Sequence, residues 1–167
     1  MATGERIPMT RGGAIALKNE VKRLKAVERP KVIAALAEAR AHGDLSENAD
    51  YDAAKDRQAL VEGRIVDIES KLSLAEIIDI SKLSGNRVVF GATVTLEDED
   101  GAQLVYRIVG DIEADLKKGR ISISSPIARA LIGREPGDSV TVKGPKGGEK
   151  EFEILSVAFR EEAVVEE

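Results

Sequence analysis

Between residues 54 and 75 the side chains Ala54, Gln58, Val61, Ile65, Ile68, Leu72 and Ala75 follow one another at alternating steps of four and three. A stripe with that period runs along one face of a helix and predicts lengthwise packing against a second helix. The partner lies upstream. Leu17, Val21 and Leu24 keep the same spacing, and Val32, Leu36 and Ala39 resume it after a slip of one residue near Pro30. Proline lacks an N–H and its ring collides with the preceding turn, so the slip predicts a kink or local unwinding within a continuing arm. Between the stripes stands His42-Gly43-Asp44-Leu45-Ser46, with Gly43 placed to take the left-handed conformation that ends a helix. So short a connection folds the arms back as an antiparallel hairpin. At about 30 residues per arm it is expected to be roughly 40–48 Å long, to project, and to display its loop at the far end.

After Asp79 the pattern changes to short β-branched segments bounded by turn residues. Arg87–Leu96, Leu104–Val109, Arg120–Ile123, Ser139–Lys143 and Lys150–Ala158 are the expected strands, with Asp100-Gly101 as a hairpin turn and residues 144–148 as another. Ser125-Pro126 opens a short helix through Ile132, serine at the cap and proline in the first turn, and Gly133 closes it. The class is α+β: a helical hairpin over residues 1–78, a mostly antiparallel sheet with one short helix over 79–160, and an acidic tail over 161–167.

The chain has 167 residues, no cysteine and one histidine, His42. Disulfide frameworks, thiolate catalysis and Cys-ligated metals are excluded, and a Ser-His-Asp triad would have to run through a single imidazole. No apolar run approaches the roughly 20 residues that span a bilayer, so no membrane partner and a cytoplasmic location are expected. A net charge of −5 argues against general nucleic-acid binding, yet the sum hides an uneven distribution. Residues 1–40 carry nine basic side chains against four acidic ones, a net of +5; residues 41–80 carry four against ten, a net of −6.

Asp44, Glu47, Asp50 and Asp52 crowd the loop without an intervening base. The spacing of Asp44 and Glu47 fits a capping box, in which both carboxylates serve the positive end of the second helix. Capping is the stronger reading of the spacing, and a functional acidic tip is compatible with it. Capping leaves Asp50 and Asp52 unexplained, and two exposed carboxylates are too few to hold Mg²⁺, which takes six oxygens. Such a tip would have to complete a metal site belonging to another macromolecule.

Gly43-Asp44-Leu45-Ser46-Glu47-Asn48-Ala49-Asp50-Tyr51 and Ser124-Ser125-Pro126-Ile127-Ala128-Arg129-Ala130-Leu131-Ile132-Gly133 resemble the bacterial Gre transcript-cleavage (transcription elongation) factor family, most closely its GreA type. Further matches are Ile7-Pro8-Met9-Thr10, Arg29-Pro30, Phe90-Gly91-Ala92-Thr93-Val94 and Tyr106-Arg107-Ile108-Val109-Gly110, so the resemblance spans about Ile7 to Phe159. It implies an N-terminal antiparallel coiled coil and a C-terminal FKBP-like domain. It also implies a factor, not an enzyme alone, that binds RNA polymerase and inserts the coiled coil into the secondary channel. There it would stimulate hydrolysis of a backtracked RNA 3′ end.

On this resemblance Asp44 and Glu47 help hold a second Mg²⁺ shared with polymerase, and no cofactor belongs to the chain alone. Asn48, Tyr51, Lys55 and Arg57 become candidate contacts to water or transcript, each matched by a plain helix-surface role. Ser125 and Pro126 match the region that docks on the channel rim, although capping already accounts for both. Some relatives carry a basic residue at Ser46. The nascent RNA is met only within the complex and DNA only indirectly; the chain is expected to be a monomer. The rival readings are a secondary-channel inhibitor, an FKBP-like prolyl isomerase, disfavoured by few aromatics, and a hairpin chaperone, disfavoured by the acidic tip.

Overall fold

The computed structural model describes residues 5–43 and 48–161. They form two compact units, one spanning Ile15–Leu74 and the other combining the residues up to Ala14 with those from Ala75 onward.

The first arm of the helical unit is helix α1 (Arg11–Arg23), a π-helical turn (Leu24–Glu28) and helix α2 (Arg29–Ala41); the second is helix α3 (Ala49–Ser73). Leu17, Leu24, Val32, Leu36 and Ala39 are buried on the first arm, and Ala54, Val61, Ile65 and Ile68 on the second. Gln58 and Leu72 are half-buried, whereas Ala75 has left the helix. The slip of one residue takes a definite form. In the π turn the Arg29 N–H donates to the Leu24 carbonyl five residues back, so one extra residue is accommodated and Val32 returns to the buried face. Pro30, which has no N–H to give to the regular ladder, follows immediately.

Ion pairs cross between the arms. Arg29 Nε and Nη2 donate to Glu62 Oε1 and Oε2 at 2.7 and 2.8 Å, and Arg64 grips Glu20 in the same two-pronged way at 2.8 and 3.0 Å. The Arg29 hydrogen bond holds the Glu62 carboxyl below its usual range, and Glu62 raises Arg29 in return. Lys25–Glu69 and Arg57–Glu28 add pairs at 2.5 and 3.2 Å. At exposed positions such pairs fix register more than they add stability.

In the other unit, strand β1 (Ile7–Thr10) pairs in parallel with β2 (Ala75–Ile78), Ile7 opposite Ala75. Strands β3 (Thr93–Asp98), β4 (Gln103–Val109), β5 (Arg120–Ser122), β6 (Ser139–Lys143) and β7 (Glu149–Ala158) form a sheet in the order β5-β4-β3-β7-β6. Helix α4 (Pro126–Leu131) completes the core, Ala128 and Leu131 packing with Val88, Val94, Leu96, Ile108 and Ile154. The Asp100-Gly101 turn forms as expected, Asp98 Oδ1 accepting from the Asp100 and Ala102 amides.

The sheet is mostly antiparallel, as expected, with β4–β5 the one parallel pair. Two expectations change. Residues 5–14 and 75–78, assigned from sequence to the hairpin segment 1–78, belong with the sheet unit, where 7–10 and 75–78 pair as strands too short to declare themselves alone. Arg87–Ala92 is not strand: Val88 exchanges backbone bonds with Gly133 and Arg134, and Gly91 turns at a φ of 87°.

One carboxyl ties this unit together. Glu113, in a 3₁₀ turn (Asp111–Glu113), accepts from the Thr10 hydroxyl, from the Thr10 amide at 3.2 Å and from the Gly110 amide at 2.8 Å. Thr10 Oγ1 in turn caps α1 by accepting from the Gly13 amide at 2.9 Å. A Cβ on Gly13 would sit 1.8 Å from Glu113 Oε1, so a side chain there would displace the carboxyl from its donors. Burial pushes the Glu113 carboxyl upward in pKa, outweighing the three donors that favour the anion.

Two outcomes follow. Ile68→Ala, at a side chain with no exposed surface, lowers unfolding free energy by about 2–4 kcal/mol in urea titrations followed by circular dichroism. Leu60→Ala, 74 % exposed, changes it by less than about 0.5 kcal/mol. For Glu113 the folded pKa lies above the unfolded one, so its contribution is intact below the ordinary glutamate range and declines as pH rises through the raised value. Repeating the titrations from about pH 4 to about pH 7 therefore shows the wild type losing stability relative to Glu113→Gln as pH rises.

Candidate functional site

At the loop end of the hairpin α2 stops at Ala41, His42 donates its amide to the Ala39 carbonyl, and Gly43 takes a φ of 101°. Asp44 and Glu47, with Leu45 and Ser46, lie outside the described residues. Helix α3 begins at Ala49, and its cap is Asn48, whose Oδ1 accepts from the Tyr51 amide at 3.0 Å. The other end of the same side chain donates from Nδ2 to the Ala39 carbonyl of α2 at 2.6 Å. Asn48 thus starts one arm while tying it to the end of the other.

This cap changes the account of the acidic cluster. Asp50 and Asp52 occupy the first turn of α3, where carboxylates meet the positive end of the helix dipole. Their crowding, unexplained with Asp44 as the cap, follows from a helix that starts at Ala49.

Tyr51, half-buried, has Arg40 Cζ 5.9 Å and Lys55 Nζ 6.0 Å from its ring centroid, distances at which a cation is attracted to the ring face. Arg40 did not emerge from the sequence, because it reaches Tyr51 only through the fold-back of the arms. Arg57 points elsewhere: its Nη2 donates to Glu28 Oε2 of the π turn at 3.2 Å. A groove of about 330 Å³ runs between α2 and α3 beside the tip, floored by Ala35, Ala39, Ala53 and Ala54 and edged by His42 and Arg57. Among the described residues no three His, Asp or Glu side chains come together in a way that could hold a metal ion.

Ser125 and Pro126 lie in the sheet unit. Ser125 Oγ accepts from the Ala128 amide at 3.2 Å and Pro126 fills the first turn of α4, as expected. A cluster missed in the sequence precedes them: Ser124 Oγ donates to Asp111 Oδ1 at 2.7 Å, Ser122 Oγ donates to the same oxygen, and the two hydroxyls stand 2.8 Å apart. The alternating Ile121-Ser122-Ile123-Ser124 was the available signal, but its carboxylate partner lies more than ten residues upstream.

The helical hairpin and the five-stranded sheet each fall within a family model of transcription elongation factors. The family model described as "Transcription elongation factor, N-terminal" covers residues 7–77, and "Transcription elongation factor, GreA/GreB, C-term" covers residues 83–159. The chain belongs to the GreA/GreB family. It is 64 % identical over 159 residues to the transcription elongation factor GreA of Anaeromyxobacter sp. (strain K), covering 95 % of each chain. With the transcription elongation factor GreA of Beijerinckia indica it shares 62 % over 157 residues, 93 % of this chain and 99 % of that one. The crystal structure of GreA factor homolog 1 (Gfh1) of Thermus thermophilus matches at 29 % identity and a TM-score of 0.43, covering 92 % of this chain and 99 % of that one.

Asn48→Ala removes both the cap and the tie to Ala39, and lowers hairpin stability by about 1–2 kcal/mol. Asn48→Asp keeps the cap acceptor and recovers part of the loss, as read from urea midpoints of helical circular dichroism.

Proposed function

We propose that this transcription elongation factor binds RNA polymerase, enters its secondary channel with the hairpin, and stimulates cleavage of backtracked RNA 3′ ends. It is not a catalyst by itself. The observation that carries the reading is the cap: α3 starts at Ala49 on Asn48, so the helix start needs neither Asp44 nor Glu47. Asp44 and Glu47 are therefore not needed to cap α3, and we assign them to a metal instead.

Their chemistry fits a shared Mg²⁺, a hard cation that takes oxygen ligands. Two carboxylates are too few for an ion that takes six oxygens, so the remaining ligands would come from polymerase. When bound there, such an ion supplies Lewis-acid polarisation for phosphodiester hydrolysis. The chain's own task is to carry Asp44 and Glu47 to the reacting phosphate on a stiff support and hold them there. Seam packing, cross-arm ion pairs and the Asn48 tie supply that stiffness. Tyr51 with Lys55 would meet the transcript end, while Arg57, engaged with Glu28, would serve the hairpin itself. Ser125 and Pro126 would belong to the surface that docks on polymerase.

The test uses a stalled, backtracked polymerase complex and measures RNA cleavage. Asp44→Asn and Glu47→Gln keep the helical circular dichroism and the polymerase affinity of the wild type. They lower stimulated cleavage by on the order of 100-fold, about 2.7 kcal/mol of barrier. Normal cleavage by either variant overturns the metal-ligand role. A wild-type chain that binds and slows polymerase without promoting cleavage identifies an inhibitor instead.

A further inference from the structure

We infer that Asp111 is a positioning residue for polymerase docking, acting by ordering the loop that carries Ser125 and Pro126; this rests on the docking role proposed for that loop. The carboxylate oxygen Oδ1 accepts two hydroxyl bonds at once, from Ser122 and Ser124, and the Ser124 amide donates to Ser122 Oγ at 3.1 Å. The Ser125 amide then closes the turn onto the Ser122 carbonyl at 2.9 Å. Residues 122–125 are thereby held from three directions immediately before Pro126, which is exposed.

Asp111 itself cannot drift. It shares its 3₁₀ turn with Glu113, whose carboxyl is fastened to Thr10 and Gly110. One acid of the turn is anchored inward and the other reaches outward to the serines. Hydroxyl bonds to a carboxylate are among the stronger hydrogen bonds, but Asp111 and Ser124 are exposed, where water replaces such bonds at little net cost. Their effect is therefore on the order of the loop and not on global stability. A surface loop fixed in its bound shape loses less entropy on association.

The experiment titrates the full-length factor against RNA polymerase, measuring half-saturation of binding, cleavage at saturating factor, and melting temperature. Asp111→Ala, and separately the double variant Ser122→Ala/Ser124→Ala, raise the half-saturating concentration about tenfold. Melting temperature stays within about 2 °C and saturating cleavage within about twofold. Asp111→Asn keeps a carbonyl acceptor for both hydroxyls and restores affinity to within about threefold of wild type. The inference is overturned if Asp111→Ala or the serine double variant binds like the wild type, or if weakening follows a fall in melting temperature. It is also overturned if Asp111→Asn is as weak as Asp111→Ala, since the charge would then meet the partner directly. Failure of the unaltered chain to bind polymerase would overturn the functional reading and this inference together. Wild-type binding with indifferent variants would overturn this inference alone.

Discussion

Two helices lying side by side have a single seam and no second layer to hide an error in it. Every residue that leaves the seam exposes an apolar side chain and buries nothing in exchange, so register governs the hairpin. The π turn at Leu24–Glu28 is the device that reconciles this demand with Pro30: the backbone widens by one residue, and Val32, Leu36 and Ala39 return to the buried face. The Arg29–Glu62 and Arg64–Glu20 pairs flank the seam and specify which turn faces which. Asn48 makes the same specification at the loop end, through Ala39.

The sheet unit solves a different problem. Its N-terminal strand and the strand after the hairpin are four residues each, too short to hold position by ladder bonds alone. The Glu113 carboxyl supplies the missing fixation by gathering donors from Thr10 and Gly110. Burying a carboxyl is unfavourable, and the raised pKa records that cost; the hydrogen bonds offset part of it. The same short turn also orients Asp111 toward Ser122 and Ser124, so an interior anchor and a surface loop share one piece of backbone.

Much of this was legible in the residues because it rests on periodicity or on backbone chemistry. The seam, the slip near Pro30, the left-handed Gly43, the Asp100-Gly101 turn and the Ser125-Pro126 helix start all emerged from local pattern. What stayed hidden depends on partners distant in the chain. Strands β1 and β2 need each other across more than sixty residues, and Val88 looks like strand until Gly133 and Arg134 claim its backbone. The cap was misplaced because Asp44 and Glu47 have the spacing of a capping box, whereas the helix starts on Asn48 four residues later. Asn48 gains its tie to Ala39 only once the arms have folded back, and Arg40 reaches Tyr51 for the same reason. Asp44 and Glu47 were legible as members of a dense acidic cluster.

Gly13, Gly110 and Glu113 form a single steric unit, although a hundred positions separate the first from the last. Both glycines lack the carbon that would collide with the glutamate carboxyl, and Gly110 also lies against the Pro8 carbonyl. A side chain at either glycine therefore forces the glutamate carboxyl to move. An alanine at 13 displaces the glutamate unless residue 113 shortens, and a shorter acid no longer reaches Thr10. A shorter residue at 113 would therefore open position 13 to a side chain, whereas position 110 would stay closed by the Pro8 carbonyl, 2.5 Å from a Cβ there.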